Sequence, residues 1–93
     1  MTEINEKEII GRVLGGDTEA FSELVTRYEK TVYNLALRMV GDRSDAADMA
    51  QEAFVKAWTN LPSYRGESRF SAWLYRITTN VCLDFLRHKS RRP

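Results

Sequence analysis

The sequence predicts an all-α protein, a compact bundle of about four helices with a loop before the last helix. Apolar residues recur at three- and four-residue intervals along most of the 93 residues, and no stretch alternates apolar and polar residues as a half-buried strand would. Glycine, proline and serine interrupt the periodic segments at 15–16, around Gly41 and over 61–69. An apolar content of 43% is sufficient for one core, so we interpret residues 1–93 as a single domain.

Two helices are predicted before Gly41. Residues 5–14 carry apolar side chains at helical spacing and are followed by two glycines, which favour the left-handed end of a helix. A second, long amphipathic helix then runs to Gly41, and we expect Asp17 or Thr18 to cap its beginning. Its apolar stripe consists of Phe21, Leu24, Val25, Tyr28, Val32, Leu35, Ala36 and Met39.

A third helix is predicted over 45–59, capped by Ser44 or Asp45. One of its faces consists of the small residues Ala46, Ala50, Ala53 and Ala57. Another face carries the polar residues Asp45, Asp48, Gln51, Glu52 and Lys56. The first acidic residues suit the positive end of the helix dipole. We expect the small face to pack closely and the polar face to remain free for a partner.

The last helix, predicted over 70–87 and capped by Ser68 or Ser71, has two different sides. At about 100° per residue, one side is apolar and must be buried: Phe70, Leu74, Ile77, Val81 and Phe85. The adjacent side carries Trp73, Arg76, Asn80, Asp84 and Arg87. Arginine binds phosphate or guanine, asparagine reads base edges and tryptophan stacks on bases. We therefore interpret the second side as a nucleic-acid surface, followed by a basic tail over 88–93 that we expect to fray.

Charge is distributed unevenly along the chain. Residues 1–58 contain seven basic and eleven acidic side chains, a formal charge of −4, whereas residues 59–93 contain seven and two, a charge of +5. A basic segment with interleaved aromatic residues suits an anionic polymer, and an acidic helical segment suits a basic protein surface. The two parts of the chain are thus expected to have different partners.

Several functional classes are disfavoured by the sequence. His88 is the only histidine, so neither a histidine metal cluster nor a histidine-based catalytic triad can form. Cys82 is the only cysteine and cannot form an internal disulfide. We expect no enzymatic activity, metal or cofactor. The acidic beginning of the chain does not resemble a signal peptide and no segment approaches the length of a membrane span, so we expect a cytoplasmic protein.

Two motifs in this chain resemble a known family. The run DAADMAQEAFVKAW over 45–58 contains a DxxQEAFxxAW core, and the run LPSYRGESRFSAWLYRITTNVCLDFLR over 61–87 contains FSxWLYRIxxN. In this order and separated by a short loop, they strongly resemble the second region of bacterial sigma factors of the extracytoplasmic-function (ECF) group. The stretch over 16–28, with the pattern GDxEAFxxLVxRY, also matches, so the resemblance extends over nearly the whole chain.

The resemblance implies two binding surfaces and one type of regulator, an anti-sigma protein. The 45–59 helix would bind the clamp coiled coil of the largest subunits of RNA polymerase core through Asp45, Asp48, Gln51, Glu52 and Lys56. The loop over 61–69 and the last helix would bind the promoter minus-ten element as a melted single strand, with a flipped base in a pocket formed by 64–70. The implied DNA-binding residues are Tyr64, Arg65, Gly66, Ser68, Arg69, Phe70, Trp73, Arg76, Asn80 and Arg87.

Two alternatives remain open at the level of sequence. The first is a duplex-reading helix-turn-helix regulator that uses 70–87 as its recognition helix, although a connection of about nine residues is longer than the usual three- or four-residue turn. The second is a helical interaction module that binds no nucleic acid. A complete ECF factor also has a helix-turn-helix domain for the minus-thirty-five element, which residues 1–93 do not include, so we expect either an isolated domain or a fragment. We therefore expect this chain alone to bind weakly and not to direct promoter-specific initiation.

Overall fold

The computed structural model describes residues 6–90, and within this range the chain forms four α-helices and no strand. The helices are α1 (Glu6–Leu14), α2 (Phe21–Val40), α3 (Arg43–Asn60) and α4 (Phe70–Ser90). Short 3₁₀ turns at Thr18–Ala20 and Leu61–Ser63 lie before α2 and after α3. The predicted all-α bundle is confirmed. The prediction of a frayed tail from residue 88 is wrong for 88–90, which continue α4, and its remainder, 91–93, lies outside the described residues.

Helices α2, α3 and α4 pack against one another, and α1 packs on α2. A large cluster of buried side chains joins all four helices, and a smaller one lies between the ends of α2 and α4 and the beginning of α3. The α3 residues Ala46, Ala53 and Ala57 have no exposed surface. Small side chains at these positions allow the neighbouring helices to approach closely. Three residues of the predicted small-residue face therefore pack as expected, whereas the fourth, Ala50, is only half-buried.

The buried side of α4 differs in part from the predicted one. Its fully buried residues are Phe70, Leu74, Thr78, Val81 and Cys82. Ile77 and Phe85, which the apolar pattern placed on this side, are only half-buried. Because α4 packs against both α2 and α3, its buried arc is turned towards Thr78 and Cys82. The Thr78 hydroxyl donates a hydrogen bond to the Leu74 carbonyl at 2.9 Å, which satisfies this polar group inside the core.

The beginning of α3 is capped by Asp42. This residue has an extended backbone (φ −140°), and its carboxylate accepts a hydrogen bond from the Asp45 amide at 2.9 Å. The preceding residue, Gly41, adopts the left-handed conformation (φ +74°) that ends α2. The expectation that Ser44 or Asp45 caps this helix is therefore wrong, because both residues already lie inside it.

The other two predicted caps are also wrong. A 3₁₀ turn separates Asp17 from α2, and the Asp17 side chain makes no capping bond but accepts hydrogen bonds from Arg12 at 3.4 Å. Helix α4 begins at Phe70, and the carbonyl of Arg69 accepts its first hydrogen bond, from the Trp73 amide at 3.1 Å. Ser68 therefore precedes the capping position and Ser71 follows it.

Residues 6–90 contain neither a membrane-spanning helix nor a cluster of metal ligands. No helix in this range is long and apolar enough to cross a membrane. Among the same residues, no three histidine, cysteine or acidic side chains are grouped as the ligands of a metal ion would be.

The Asp42→Ala variant tests the observed cap of α3. Loss of the Asp42 carboxylate leaves the Asp45 amide unpaired, so we expect the free energy of unfolding to fall by about 1 kcal/mol, within a range of about 0.5 to 2. Urea unfolding followed by circular dichroism measures this change. Ser44→Ala is the matched control and should leave the unfolding midpoint unchanged. Equal losses in the two variants would contradict the assignment of Asp42 as the cap.

Candidate nucleic-acid interface

Three aromatic rings meet where the loop joins α4. The Tyr64 ring lies 5.8 Å from the Phe70 ring and 5.1 Å from the Trp73 ring, and Phe70 lies 5.6 Å from Trp73, all measured between centroids. These separations fall in the favourable range for aromatic pairs. Phe70 is only 3% exposed, whereas Tyr64 and Trp73 are half-buried. The buried ring thus supports two rings that reach the surface.

The loop is closed by hydrogen bonds of Tyr64. Its hydroxyl donates to the Ser68 carbonyl at 2.5 Å, and its amide donates to the Leu61 carbonyl at 2.9 Å. Gly66 lies between Tyr64 and Ser68 and has φ +77°, in the left-handed region that favours glycine. Burial, followed by the negative charge of Glu6, raises the pKa of Tyr64, so its hydroxyl stays protonated and remains a donor at neutral pH.

A cavity of about 240 Å³ opens between the loop and the first turns of α4. It is lined by Ser63, Tyr64, Arg65, Glu67, Ser68, Trp73 and Arg76. Sites for drug-sized molecules measure roughly 300 to 1,000 Å³, so this cavity has room for a smaller group. Aromatic rings, guanidinium groups, hydroxyls and a carboxylate are the groups that stack on and hydrogen-bond to a nucleobase. The cavity therefore has the size and chemistry to hold one base.

The structure brings half of the ten expected DNA-binding residues together in this cavity. They are Tyr64, Arg65, Ser68, Trp73 and Arg76. Gly66 and Arg69 are exposed in the same loop, and Asn80 is exposed one turn beyond Arg76 on α4. The surface predicted from the helical period is therefore continuous with the loop.

Phe70 and Arg87 have different positions from the other expected residues. Phe70 is buried and does not line the cavity, so its contribution is to support Tyr64 and Trp73. Arg87 lies about 16 Å along the helix from Arg76 at 1.5 Å per residue, and forms an exposed ion pair with Asp84 at 3.4 Å. A direct contact of Arg87 with DNA therefore requires a strand that extends well beyond the cavity.

Two residues that line the cavity, Ser63 and Glu67, were not among the expected DNA-binding residues, although Glu67 lies within the expected pocket over 64–70. The Ser63 hydroxyl donates to the Asn60 carbonyl at 2.7 Å, which holds the 3₁₀ turn at the edge of the cavity. Glu67 is the one acidic residue over 61–69. The presence of one acidic residue in an otherwise basic and aromatic loop could have indicated this role, because a carboxylate accepts hydrogen bonds from the amino groups of bases.

The polar face of α3 lies on a separate part of the surface. Asp48, Gln51, Glu52 and Lys56 are exposed, as the sequence predicts. Asp45 is half-buried, and its carboxylate lies 3.8 Å from the Lys89 Nζ atom at the end of α4. Of the five residues expected to bind polymerase, four are therefore open to a partner, and Asp45 also connects two helices.

An apolar groove of about 600 Å³ borders this face, between α2 and α3. Its lining residues are Phe21, Val25, Glu29, Lys30, Tyr33, Ala50, Gln51, Phe54, Val55 and Trp58. Val55 and Trp58 are 55% and 41% exposed and add to one contiguous apolar patch, the kind of surface that marks an interaction site. Sequence reasoning missed this groove, although the apolar residues that follow Gln51 at helical spacing were a signal for it.

Comparison with known proteins identifies the family. Residues 24–92 match the family model of sigma-70 region 2. The chain therefore belongs to the sigma-70 region 2 family.

Among its relatives, it is 42% identical over 91 residues to the ECF RNA polymerase sigma-E factor of Escherichia coli K12, and 43% identical over 83 residues to the ECF sigma factor SigW of Bacillus subtilis 168. It is 41% identical over 93 residues to the RNA polymerase sigma-H factor of Pseudomonas aeruginosa PAO1. These matches confirm the resemblance to ECF sigma factors.

The three matches cover 98%, 89% and 100% of this chain but 47%, 44% and 48% of the relatives. The chain thus spans about half the length of the curated relatives it matches. A solved structure also matches, with a TM-score of 0.89, 40% identity and coverage of 99% of this chain and 97% of the other. It is an NMR structure of an engineered region 2 of sigmaE in complex with GTAAAA.

Substitution of Gly66 tests the conformation of the loop. Because Gly66 has φ +77°, we expect Gly66→Ala to lower the free energy of unfolding by roughly 1 to 2 kcal/mol. Gly11→Ala is the matched control: Gly11 lies within α1, and an added methyl group would meet no atom within 4 Å. It should therefore stabilise the protein by about 0.5 to 1 kcal/mol. Urea unfolding measures the free energy of unfolding of both variants. If the two substitutions change it in the same direction, the result is inconsistent with a left-handed conformation at Gly66.

Proposed function

We propose that this chain is the region 2 domain of a transcription initiation factor. It binds RNA polymerase core, and it recognises and melts the promoter minus-ten element by capturing a flipped base of the non-template strand. The observation that carries this proposal is the cavity of about 240 Å³ that lies directly beside the exposed Arg76 and continues towards Asn80. The complex of the related sigmaE region 2 with GTAAAA supports a nucleic-acid ligand at this fold.

Each side chain around the cavity has a chemical role in this proposal. Tyr64 and Trp73 stack on the captured base, while Arg65 and Arg76 contact phosphates or a guanine edge. Asn80 reads the edge of the neighbouring base. Arg69 and Arg87 contribute phosphate contacts outside the cavity.

Capture of a base contributes free energy to the opening of the duplex, and it also makes binding depend on the base sequence. Opening a duplex costs roughly 1.4 kcal/mol per base-pair step, and a base stacked on an aromatic ring returns about 1 to 3 kcal/mol. A base that fits and hydrogen-bonds in the cavity stabilises the open strand. A base that does not fit leaves polar groups of the cavity buried and unpaired, which is unfavourable.

The second surface, made of the polar face of α3 and the apolar groove, is proposed to bind the clamp coiled coil of the polymerase. A groove with an apolar floor and a polar rim accepts an amphipathic helix, and Phe54, Val55 and Trp58 provide that floor. The acidic side chains Asp48 and Glu52 would steer a basic helix towards it. An anti-sigma protein that covered either surface would block the factor.

Strand preference tests the proposed DNA-binding mode. The domain should bind a minus-ten-type single strand more tightly than the corresponding duplex across a salt series, as measured by fluorescence anisotropy. Arg76→Ala should reduce the salt slope by about 0.7 for one lost phosphate contact. Asn80→Ala should leave the slope unchanged but reduce discrimination between base sequences.

Arg38→Ala is the matched control for these variants, since Arg38 is exposed on the last turn of α2 and away from the cavity lining. It should bind as the parent does. A clear preference for duplex would favour a helix-turn-helix regulator instead. Binding at background level, unaffected by Asn80→Ala or Arg65→Ala, would favour an interaction module.

Binding to RNA polymerase core tests the second surface. Glu52→Lys should weaken binding most at low salt, because it reverses a charge on the rim. Trp58→Ala should weaken binding at all salt concentrations, because it removes an apolar contact. Leu14→Ala removes a comparably exposed apolar side chain from α1 and serves as the control. If the α3 variants bind core polymerase as tightly as the parent, this surface has another role.

A further inference from the structure

A series of ring contacts connects helix α2 to the wall of the cavity. The Tyr28 ring lies 5.8 Å from the Phe70 ring, and the Phe70 ring lies 5.8 Å from the Tyr64 ring. Tyr28 also contacts Tyr75 of α4 at 6.2 Å. Because close-packed side chains transmit displacements, a change at Tyr28 affects Phe70 and, through it, the cavity wall at Tyr64.

Helix α1 is attached to this series at its first residue. The Glu6 carboxylate accepts a hydrogen bond from the Tyr28 hydroxyl and another from Arg27 Nη1, the latter at 2.9 Å. Burial, followed by the hydrogen bond to Glu6 and its charge, raises the pKa of Tyr28. The hydroxyl is therefore protonated at neutral pH and donates a charge-assisted bond, the stronger kind of hydrogen bond.

The negative charge of Glu6 influences Tyr64 as well as Tyr28. After burial, its negative charge is the second cause that raises the pKa of Tyr64. The charge of Glu6 therefore favours the protonated form of both tyrosine hydroxyls. The residues matched to sigma-70 region 2 begin at 24, so Glu6 and the whole of α1 lie outside that match.

We propose that Glu6 and Tyr28 are positioning residues for base capture: their hydrogen bond fixes the Tyr28 ring against Phe70, and this contact holds Tyr64 in the geometry that receives a base. This role rests on the proposed function of the cavity. Neither residue lines the cavity, so both act through Phe70.

The rest of the α1 interface allows this role to be separated from general stability. Ile9, Ile10 and Val13 are buried in the main cluster, and Arg12 forms an additional ion pair with Glu23 of α2 at 3.4 Å. These contacts keep α1 docked when the hydroxyl of Tyr28 is removed. Removal of the Tyr28 hydroxyl group alone is therefore expected to change the position of the Tyr28 ring while α1 remains packed on α2.

Tyr28→Phe is the variant that tests the proposal, and Tyr33→Phe is its matched control. Tyr33 is also half-buried on α2, but it packs against the smaller cluster and lines the apolar groove of the second surface, so this control applies to hexamer binding alone. The probes are a panel of single-stranded hexamers that includes GTAAAA and, for the hexamer bound most tightly, six versions that each lack one base. In the parent, one abasic version should lose the most affinity, which identifies the captured position.

Tyr28→Phe should bind the intact hexamer about two- to tenfold more weakly, the range expected for one hydrogen bond. Its affinity for the hexamer without the captured base, and its salt dependence, should equal those of the parent, and Tyr33→Phe should behave as the parent throughout. Equal affinity of Tyr28→Phe and the parent for the intact hexamer would overturn the proposal. So would an equal loss for intact and abasic hexamers, which indicates general destabilisation. If the parent protein binds all six abasic hexamers equally well, base capture is overturned, and with it this positioning role.

A comparison at Glu6 isolates the hydrogen bond from the charge. Glu6→Gln and Glu6→Ala remove the same negative charge, but only the glutamine carbonyl can still accept a bond from Tyr28. We expect Glu6→Gln to bind the intact hexamer more tightly than Glu6→Ala by about two- to tenfold. In the Tyr28→Phe background this difference should vanish, because the two groups act as one unit. Equal affinities of the two Glu6 variants in the parent background would overturn the proposal.

Discussion

The burial of Phe70 joins the hydrophobic core to the candidate DNA surface. Its ring contacts Tyr28 on one side and Tyr64 and Trp73 on the other. Burial of such a side chain stabilises a fold by about 1.5 to 3 kcal/mol, and each ring pair adds about 0.5 to 1.5 kcal/mol. The cavity wall therefore cannot loosen without weakening the core. A loop with little regular structure is in this way held in a defined shape.

Close packing of α3 has a similar consequence for the second surface. Alanines at 46, 53 and 57 bring this helix against its neighbours, so its polar residues are presented on the opposite side. The acidic face of α3 and the basic side of α4 thus belong to one packed unit but lie on different helices. The uneven charge along the sequence thus corresponds to two surfaces on different helices, to which the proposed function assigns different partners.

Local patterns in the sequence were sufficient for the helices and for much of the candidate site. The helical period placed Arg76 and Asn80 on the exposed side of α4, and glycine and proline marked the connections. The apolar periodicity did not predict the burial of Thr78. Its residue type is polar, but its hydroxyl can be buried because it donates a hydrogen bond to the preceding turn. The predicted capping residue of α3 was wrong because several nearby serines and aspartates have the same preference for this position. Only the backbone geometry distinguishes Asp42 from them.

Contacts between distant parts of the chain could not be derived from those patterns. Tyr28 was correctly placed on the apolar stripe of α2, but its contact with Phe70 and its hydrogen bond to Glu6 depend on how three helices come together. The same holds for the pair of Asp45 and Lys89. Helical periodicity identifies the side of a helix that is buried, whereas the identity of the neighbour is set by the tertiary fold.

The dimensions of the cavity limit what this domain can do alone. Room for one base corresponds to a stacking contribution of about 1 to 3 kcal/mol, which offsets only one or two base-pair steps at roughly 1.4 kcal/mol each. Arginine side chains can contact the phosphates of paired and unpaired strands alike, so in the proposed function the arginines beside the cavity would add affinity more than they would favour opening. The proposed melting therefore depends on the second surface. In the proposed function, a domain held on the polymerase through α3 would meet the promoter at a high effective concentration. Capture of a single base would then stabilise an opening to which other contacts of the complex contribute. Since α3 and α4 are fixed to each other by the smaller buried cluster, attachment at one surface positions the cavity at the other.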